Sequence, residues 1–124
     1  MVPNLAKKKP NNVLHTMYSP NSTRLVYWAN IEFSYEAGSK YHGEFEGGFV
    51  YCFVQAVDAR DALDQFDLEF KSRNLGIRFI EFINLYAEVP WQSIEDQGHY
   101  DGIATRASNS EEVMFDSFEI YERR

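Results

Sequence analysis

Apolar and polar side chains alternate along the chain from residue 25, and this alternation predicts three strands in its first two thirds. The stretch LVYWANIEFSYE, residues 25–36, places apolar side chains mainly on one side and Val26 and Trp28 on the other. FVYCFVQAV, residues 49–57, is apolar on both sides, and a glycine-rich connection precedes it. Residues 77–89 predict a third strand, in which a change of phase indicates a bulge or bend near Phe82.

Between the second and third strands, the stretch VDARDALDQFDLEF predicts a helix. Asp58 fits the N-cap, and Asp61 lies where a carboxylate accepts backbone N–H groups near the positive end of the helix dipole. Gly76 is the predicted C-terminal stop. Apolar residues recur at spacings of three and four and form one stripe, made of Ala59, Ala62, Leu63, Phe66 and Phe70.

The same helix carries an aspartate at every third position, Asp58, Asp61, Asp64 and Asp67, which raises the question of a metal site. Steps of three residues turn 300° around a helix, so these side chains spread over about half of its circumference and cannot share one ion. Arg60 with Asp64, and Lys71 with Asp67, are i,i+4 neighbours of opposite charge. The pattern therefore predicts a solvated helix face, and neither a metal nor a cofactor is expected.

The last third of the chain gives weaker patterns. Residues 91–102 are rich in turn-forming residues, and residues 103–107 predict a short edge strand. Residues 111–122 alternate and contain Phe, Ile, Tyr and Val, which favours a strand. Ser110 followed by two glutamates also fits the cap of a helix over the same residues, so this alternative stays open.

These elements predict an α+β fold with one antiparallel or mixed sheet of four to five strands, in the order β-β-α-β-(β)-β. The one main helix packs on one face of that sheet. Residues 1–24 are predicted to be a flexible basic arm, and residues 25–124 a single α+β domain. Strand order and oligomeric state do not follow from the pattern.

One helix covers only one face of a sheet, yet the second strand is apolar on both faces. The other face is therefore expected to meet a second copy in a homodimer, a foreign protein, or loops of the same chain. Aromatic residues dominate protein interfaces, and the candidate contacts are Trp28, Phe49, Tyr51, Phe53 and Trp91.

Charge is strongly segregated along the chain, whose total is −7. Residues 25–122 hold all 19 Asp and Glu but only six Lys and Arg, which gives −13 for that segment. Such a surface repels nucleic acid and anionic membranes and favours a basic partner. No apolar run approaches the length of a membrane helix and no secretory signal is evident, so a cytoplasmic location is expected.

Candidates for chemistry are few. Cys52 lies mid-strand, where a thiol is usually inert core. His99 and Asp101 in GHYDG form the most suggestive polar pair, and His42 lies in a second polar loop. No nucleotide-binding glycine motif or GxSxG serine is present.

The junction FVQAVDARDAL looks like the strand-to-helix junction of many small bacterial α+β domains, and small acidic α+β chains are similar in general character to immunity proteins that neutralise toxins. We therefore expect a non-enzymatic protein-binding or self-associating domain, with an immunity- or inhibitor-type role against a basic partner as one form. The alternative is a small ligand-binding domain or enzyme with a pocket near His99 and Asp101.

Overall fold

A computed structural model describes residues 24–122, so the predicted basic arm lies outside the described residues except for Arg24. The fold of these residues is α+β, as predicted, with one five-stranded antiparallel sheet and two helices. The strands are β1 (Leu25–Tyr35), β2 (Phe45–Ala56), β3 (Leu75–Leu85), β4 (Met114–Phe115) and β5 (Glu119–Glu122). The helices are α1 (Ala59–Ser72) and α2 (Ile94–Ser108), and a 3-10 turn (Tyr86–Glu88) follows β3. The strand order is β3-β1-β2-β4, and β5 also pairs with β2.

The bulge predicted near Phe82 is present in β3. The register between β1 and β3 shifts between Asn30 and Ile31, which lie opposite Phe82 and Ile80. A second shift, which the sequence did not predict, follows between Glu32 and Phe33. Each shift adds one residue to β3. Because an extra residue reverses the alternation of side chains, apolar side chains of β3 face a core on both sides of each phase change.

The predicted strand over residues 111–122 is present as two short strands, so the helical alternative is wrong. Both strands pair with β2, at different ends of it. Gly47 and Gly48 of β2 permit close packing here, because a Cβ at Gly47 would lie 1.9 Å from the Phe33 carbonyl oxygen. At Gly48 a Cβ would lie 2.2 Å from the carbonyl oxygen of Glu119. The glycine pair thus allows β1 and β5 to approach β2 from both sides.

Helix α1 begins as predicted. The Asp58 side chain accepts the Asp61 N–H at 2.8 Å, and the Asp61 side chain accepts the Val57 N–H at 3.0 Å. The predicted stop at Gly76 is wrong, because the left-handed residue after the helix is Asn74, with φ of 58°. Gly76 instead lies within β3.

The remaining aspartates of α1 make the ion pairs that the sequence predicts. Arg60 lies 4.0 Å from Asp64, and Lys71 lies 2.9 Å from Asp67. In the described part of the chain, no group of three or more His, Cys, Asp or Glu is placed to hold a metal ion.

The largest departure from the sequence prediction is α2. Residues 91–102 were expected to form turns and residues 103–107 a short strand, but 15 residues, Ile94–Ser108, form one helix. Its N-cap is Ser93, whose hydroxyl accepts the Asp96 N–H at 3.1 Å. Gly98 and Gly102 in its interior, and a buried stripe of only Ile103, Ala104 and Ala107, concealed the helical period.

Because of α2, the sheet has a core on each face. The α1 core contains Phe33, Phe66 and Phe70. The α2 core contains Trp28 and Phe53. The prediction that a single helix leaves one whole face without cover is therefore wrong, since α2 supplies a cover from the same chain.

Candidate functional site

Helix α2 covers only one half of the sheet face on which it packs. Trp28 lies at the centre of this covered half. Trp28 is 8% exposed, and its ring contacts six aromatic rings at centroid distances of 5.0 to 5.8 Å. These rings belong to Tyr51, Phe53, Phe82, Tyr86, Trp91 and Tyr100. Trp28 and Phe53, two of the predicted interface residues, are thus core residues in this fold.

Two polar side chains, Gln55 and Tyr86, hold α2 on the covered half. The Gln55 amide Nε2 donates to the carbonyls of Ala107, Ser108 and Ser110 at 3.2, 2.9 and 2.8 Å. These carbonyls lie at and just beyond the C-terminal end of the helix, where the helix has no backbone N–H groups left to donate to them. The Tyr86 hydroxyl donates to Asp101 at 2.5 Å. Burial, followed by this hydrogen bond to a carboxylate, raises the pKa of Tyr86.

The other half of the face is open, and it carries a row of alternating aromatic and acidic side chains. Glu32 of β1 lies opposite Phe79 of β3 on one side and Phe49 of β2 on the other. Phe49 in turn lies opposite Glu119 of β5. Residues directly opposite in an antiparallel sheet share a face, so Phe79, Glu32, Phe49 and Glu119 form one row across four strands. We call it the open row.

The phenylalanines of the open row are accessible, with Phe79 59% and Phe49 40% exposed. Strand spacing of about 4.8 Å places them about 10 Å apart, with Glu32 between them. A large apolar side chain exposed on a sheet face has a desolvation gain that is realised only when another surface covers it.

Tyr121 of β5 fixes the carboxylate of Glu32. Its hydroxyl donates to Glu32 Oε2 at 2.5 Å, and Arg78 Nη1 donates to the Tyr121 oxygen at 3.4 Å. The Tyr121 ring also lies against Phe49, at a centroid distance of 5.9 Å. Burial and the hydrogen bond to Glu32 raise the pKa of Tyr121. The carboxylate of Glu32, the central acid of the open row, is therefore held in one position.

Further carboxylates surround the boundary between the covered half and the open row. Tyr51 lies at this boundary and is half-buried. It is opposite Asn30, and these two residues are the next pair on the same face after Glu32 and Phe49. Burial raises its pKa first, and then the negative charges of nearby carboxylates, Glu81, Glu119, Asp116 and Asp96. Tyr100 of α2 has its pKa raised by burial and by three of the same carboxylates. The aromatic surface thus has an acidic rim.

A cavity of about 380 Å³ adjoins this boundary, between α2 and the break between β4 and β5. It is lined by His99, Ile103, Arg106, Phe115, Asp116 and Ser117. His99 Nε2 lies 3.1 Å from Asp116 Oδ1. The sequence pointed to a pocket at His99, but it paired His99 with Asp101. That pairing is wrong, because Asp101 binds Tyr86 and Asp116 takes its place.

The other predicted residues lie in neither the open row nor the cavity. His42 lies in the exposed connection between β1 and β2. Cys52 is fully buried, and burial raises the pKa of its thiol. Trp91 is half-buried and stacks on Tyr100 at 5.6 Å. Four site residues were missed, Phe79, Glu32, Glu119 and Tyr121, and for Phe79 the available signal was the phase change in the third strand.

Comparison of the chain with models of known protein families, with curated proteins and with solved structures finds no match. Within residues 24–122, no helix is both long and apolar enough to cross a membrane.

Proposed function

We propose that this chain binds a basic protein through the open row. The observation that carries the proposal is the alternation of Phe79, Glu32, Phe49 and Glu119 across four strands, with both phenylalanines exposed. A partner's arginine can contact Glu32 while its aliphatic stem and neighbouring apolar side chains cover the two rings. Buried aromatic and arginine contacts are those that dominate interface energies.

Preorganisation supports this use of Glu32. A carboxylate already held by Tyr121 loses little side-chain freedom on binding, so less of the interaction energy is spent on ordering it. The acidic rim at Glu81 and Glu119 adds long-range attraction for a basic surface, which raises the association rate.

The charge of the chain favours a foreign partner over a second copy. Residues 25–122 carry 19 acidic and six basic side chains. Two copies that meet through this face would bring like-charged rows together, which costs several kcal/mol in unfavourable juxtapositions. A homodimer through the open row is therefore the less favoured arrangement, and a basic partner relieves the same charge.

An immunity- or inhibitor-type role is the form of this function that fits a nucleic-acid-acting toxin as partner. Surfaces that bind nucleic acid are basic, since they neutralise phosphates. An acidic row with exposed phenylalanines is complementary to such a surface in charge and in apolar contact, and occupying it would block the access of nucleic acid.

The test is a titration of the full ¹⁵N-labelled chain with an octapeptide of alternating arginine and phenylalanine, followed by amide chemical shifts. We expect the shifts to concentrate at β1, β2 and β3 around Glu32, Phe49 and Phe79. Phe49→Ala or Phe79→Ala should weaken binding about 30-fold, the equivalent of about 2 kcal/mol for an interface hot spot. Affinity should also fall with added salt, because part of the attraction is electrostatic.

Two controls make this test specific. Leu68→Ala removes a comparably exposed apolar side chain, 69% exposed, from α1 on the opposite side of the sheet, and it should leave binding unchanged. The peptide with glutamate in place of arginine should not bind. Equal binding of both peptides, or equal loss in the Leu68→Ala chain, contradicts the proposal. A dimer in analytical ultracentrifugation that Phe79→Ala dissociates would assign the row to a second copy instead.

A further inference from the structure

The cavity beside α2 is built from two elements that bring opposite charges to one place. His99, Ile103 and Arg106 are four and three residues apart on α2, a spacing that puts them on one side of the helix. Asp116 and Ser117 lie in the break between β4 and β5, where the chain leaves the sheet edge. The break therefore turns two polar residues toward the helix.

The Arg106 side chain differs from the other Lys and Arg side chains of residues 24–122, because it makes no hydrogen bond, ion pair or ring contact within that part of the chain. Arg60, Lys71 and Arg73 each pair with a carboxylate on α1. Arg78 binds the Tyr121 hydroxyl, and Lys40 lies over the Tyr41 ring. In a segment with three times as many acids as bases, an unpaired arginine that lines a cavity is available for a ligand.

The carboxylate on the other side of the cavity is held and partly buried. The Asp116 side chain is 18% exposed, and its Oδ1 lies 3.1 Å from His99 Nε2, which leaves Oδ2 as an acceptor. The backbone N–H of Asp116 donates to the Tyr51 carbonyl at 3.0 Å. Its position is therefore fixed by both side chain and backbone.

We propose that this cavity binds a free α-amino acid with an apolar side chain. The ligand carboxylate binds Arg106, its ammonium group binds Asp116, and its side chain lies toward Ile103. Charge selects the zwitterion, because a simple anion meets Asp116 and the acidic chain, and a simple cation meets Arg106. The volume lies in the range of small-molecule sites.

The test is an amide-shift titration of the full chain with three related ligands: leucine, leucinamide and N-acetylleucine. Leucinamide lacks the carboxylate and N-acetylleucine lacks the ammonium group, so each removes one of the two proposed contacts. We expect leucine to shift the amides of His99, Arg106 and Ser117, and each derivative to bind at least tenfold more weakly. N-acetylleucine or leucinamide binding as tightly as leucine would overturn the zwitterion assignment, and an absence of cavity shifts at millimolar leucine would overturn the site.

Variants separate this site from the open row. Arg106→Gln and Asp116→Asn should each weaken leucine binding at least tenfold, whereas Arg60→Gln, an exposed arginine on α1, should not change it. Phe79→Ala should retain leucine binding even if it abolishes peptide binding. Leucine affinity that is the same in Arg106→Gln as in the unchanged chain would contradict the proposal, and far-ultraviolet circular dichroism would show that each variant is folded.

Discussion

The two halves of the sheet face beneath α2 both carry aromatic side chains, but these are buried in one half and exposed in the other. In the covered half, Trp28 lies between Phe53 and other rings and is 8% exposed. In the open row, Glu32 lies between Phe49 and Phe79, and both rings are accessible. The strands are the same in both halves, β1, β2 and β3, so the strand sequences alone do not distinguish core from surface.

The difference lies in what crosses the sheet. Helix α2 and the 3-10 turn lie over the end of the sheet that contains Trp28. There Gln55 donates to a carbonyl at the end of α2, and Tyr86 of the 3-10 turn donates to Asp101 of α2. Neither element reaches Phe79. An aromatic residue beneath α2 contributes to the stability of the fold, whereas an aromatic residue beyond it stays exposed.

The largest effect is expected in the covered half. Trp28→Ala removes a ring that contacts six others, and it should lower the free energy of unfolding by about 3–5 kcal/mol through lost burial and a cavity. Urea unfolding followed by circular dichroism measures this. A loss below about 1 kcal/mol would mean that the two halves are equally loosely packed, and the comparison would fail.

Gln55→Ala should separate the helix from the sheet without touching the aromatic rings. Its amide donates to three carbonyls at the end of α2, and leaving buried polar groups unpaired costs about 1–3 kcal/mol. Hydrogen exchange should show faster opening of α2 than of α1. Equal protection of the two helices would contradict the role of Gln55. Gln65→Ala, which removes a neighbouring side chain bonded to the Gln55 carbonyl, serves as a control.

Alkaline pH should weaken the covered half in a graded manner. The pKa of Tyr86 is raised in the fold, so the unfolded chain loses its phenolic proton first and binds fewer protons than the folded chain. Stability is therefore full below about pH 10 and falls as the pH rises above it. Urea unfolding at a series of pH values should give a shallower decline for Tyr86→Phe. An identical slope in both chains would count against this assignment.

The smallest effect on stability is expected in the open row. Phe79 is 59% exposed, so Phe79→Ala should change the free energy of unfolding by no more than about 0.5 kcal/mol. The same substitution should have a large effect on binding of the arginine–phenylalanine peptide. A destabilisation comparable with that of Trp28→Ala would show that Phe79 belongs to a core and would remove the distinction between the halves.

Only part of the candidate site was within reach of the sequence, since Phe49 is the one residue of the open row that was identified as a candidate. The aromatic candidates Phe49 and Tyr51 were identified, but Trp28 and Phe53 from the same pattern proved to be core. His99 was identified beside the wrong acid, since its partner Asp116 lies 17 residues along the chain. A pattern of alternation reports the face that a side chain occupies, and it does not report what covers that face.

What the sequence by itself determined is local. The strand β1, residues 49–56 of β2, the bulge near Phe82 and the capping of α1 by Asp58 follow from periodicity and from contacts between residues close in the chain. The acidity of residues 25–122 follows from composition.

Only the tertiary structure decided where α2 lies, and with it which half of the face is covered. This helix has two interior glycines and a small buried stripe of Ile103, Ala104 and Ala107, so its local preference is weak. It is stabilised mainly by docking on Trp28 and by the Gln55 hydrogen bonds, contacts between residues more than 50 positions apart. Such long-range contacts leave little mark on the local pattern, because helical stability here comes from packing more than from propensity.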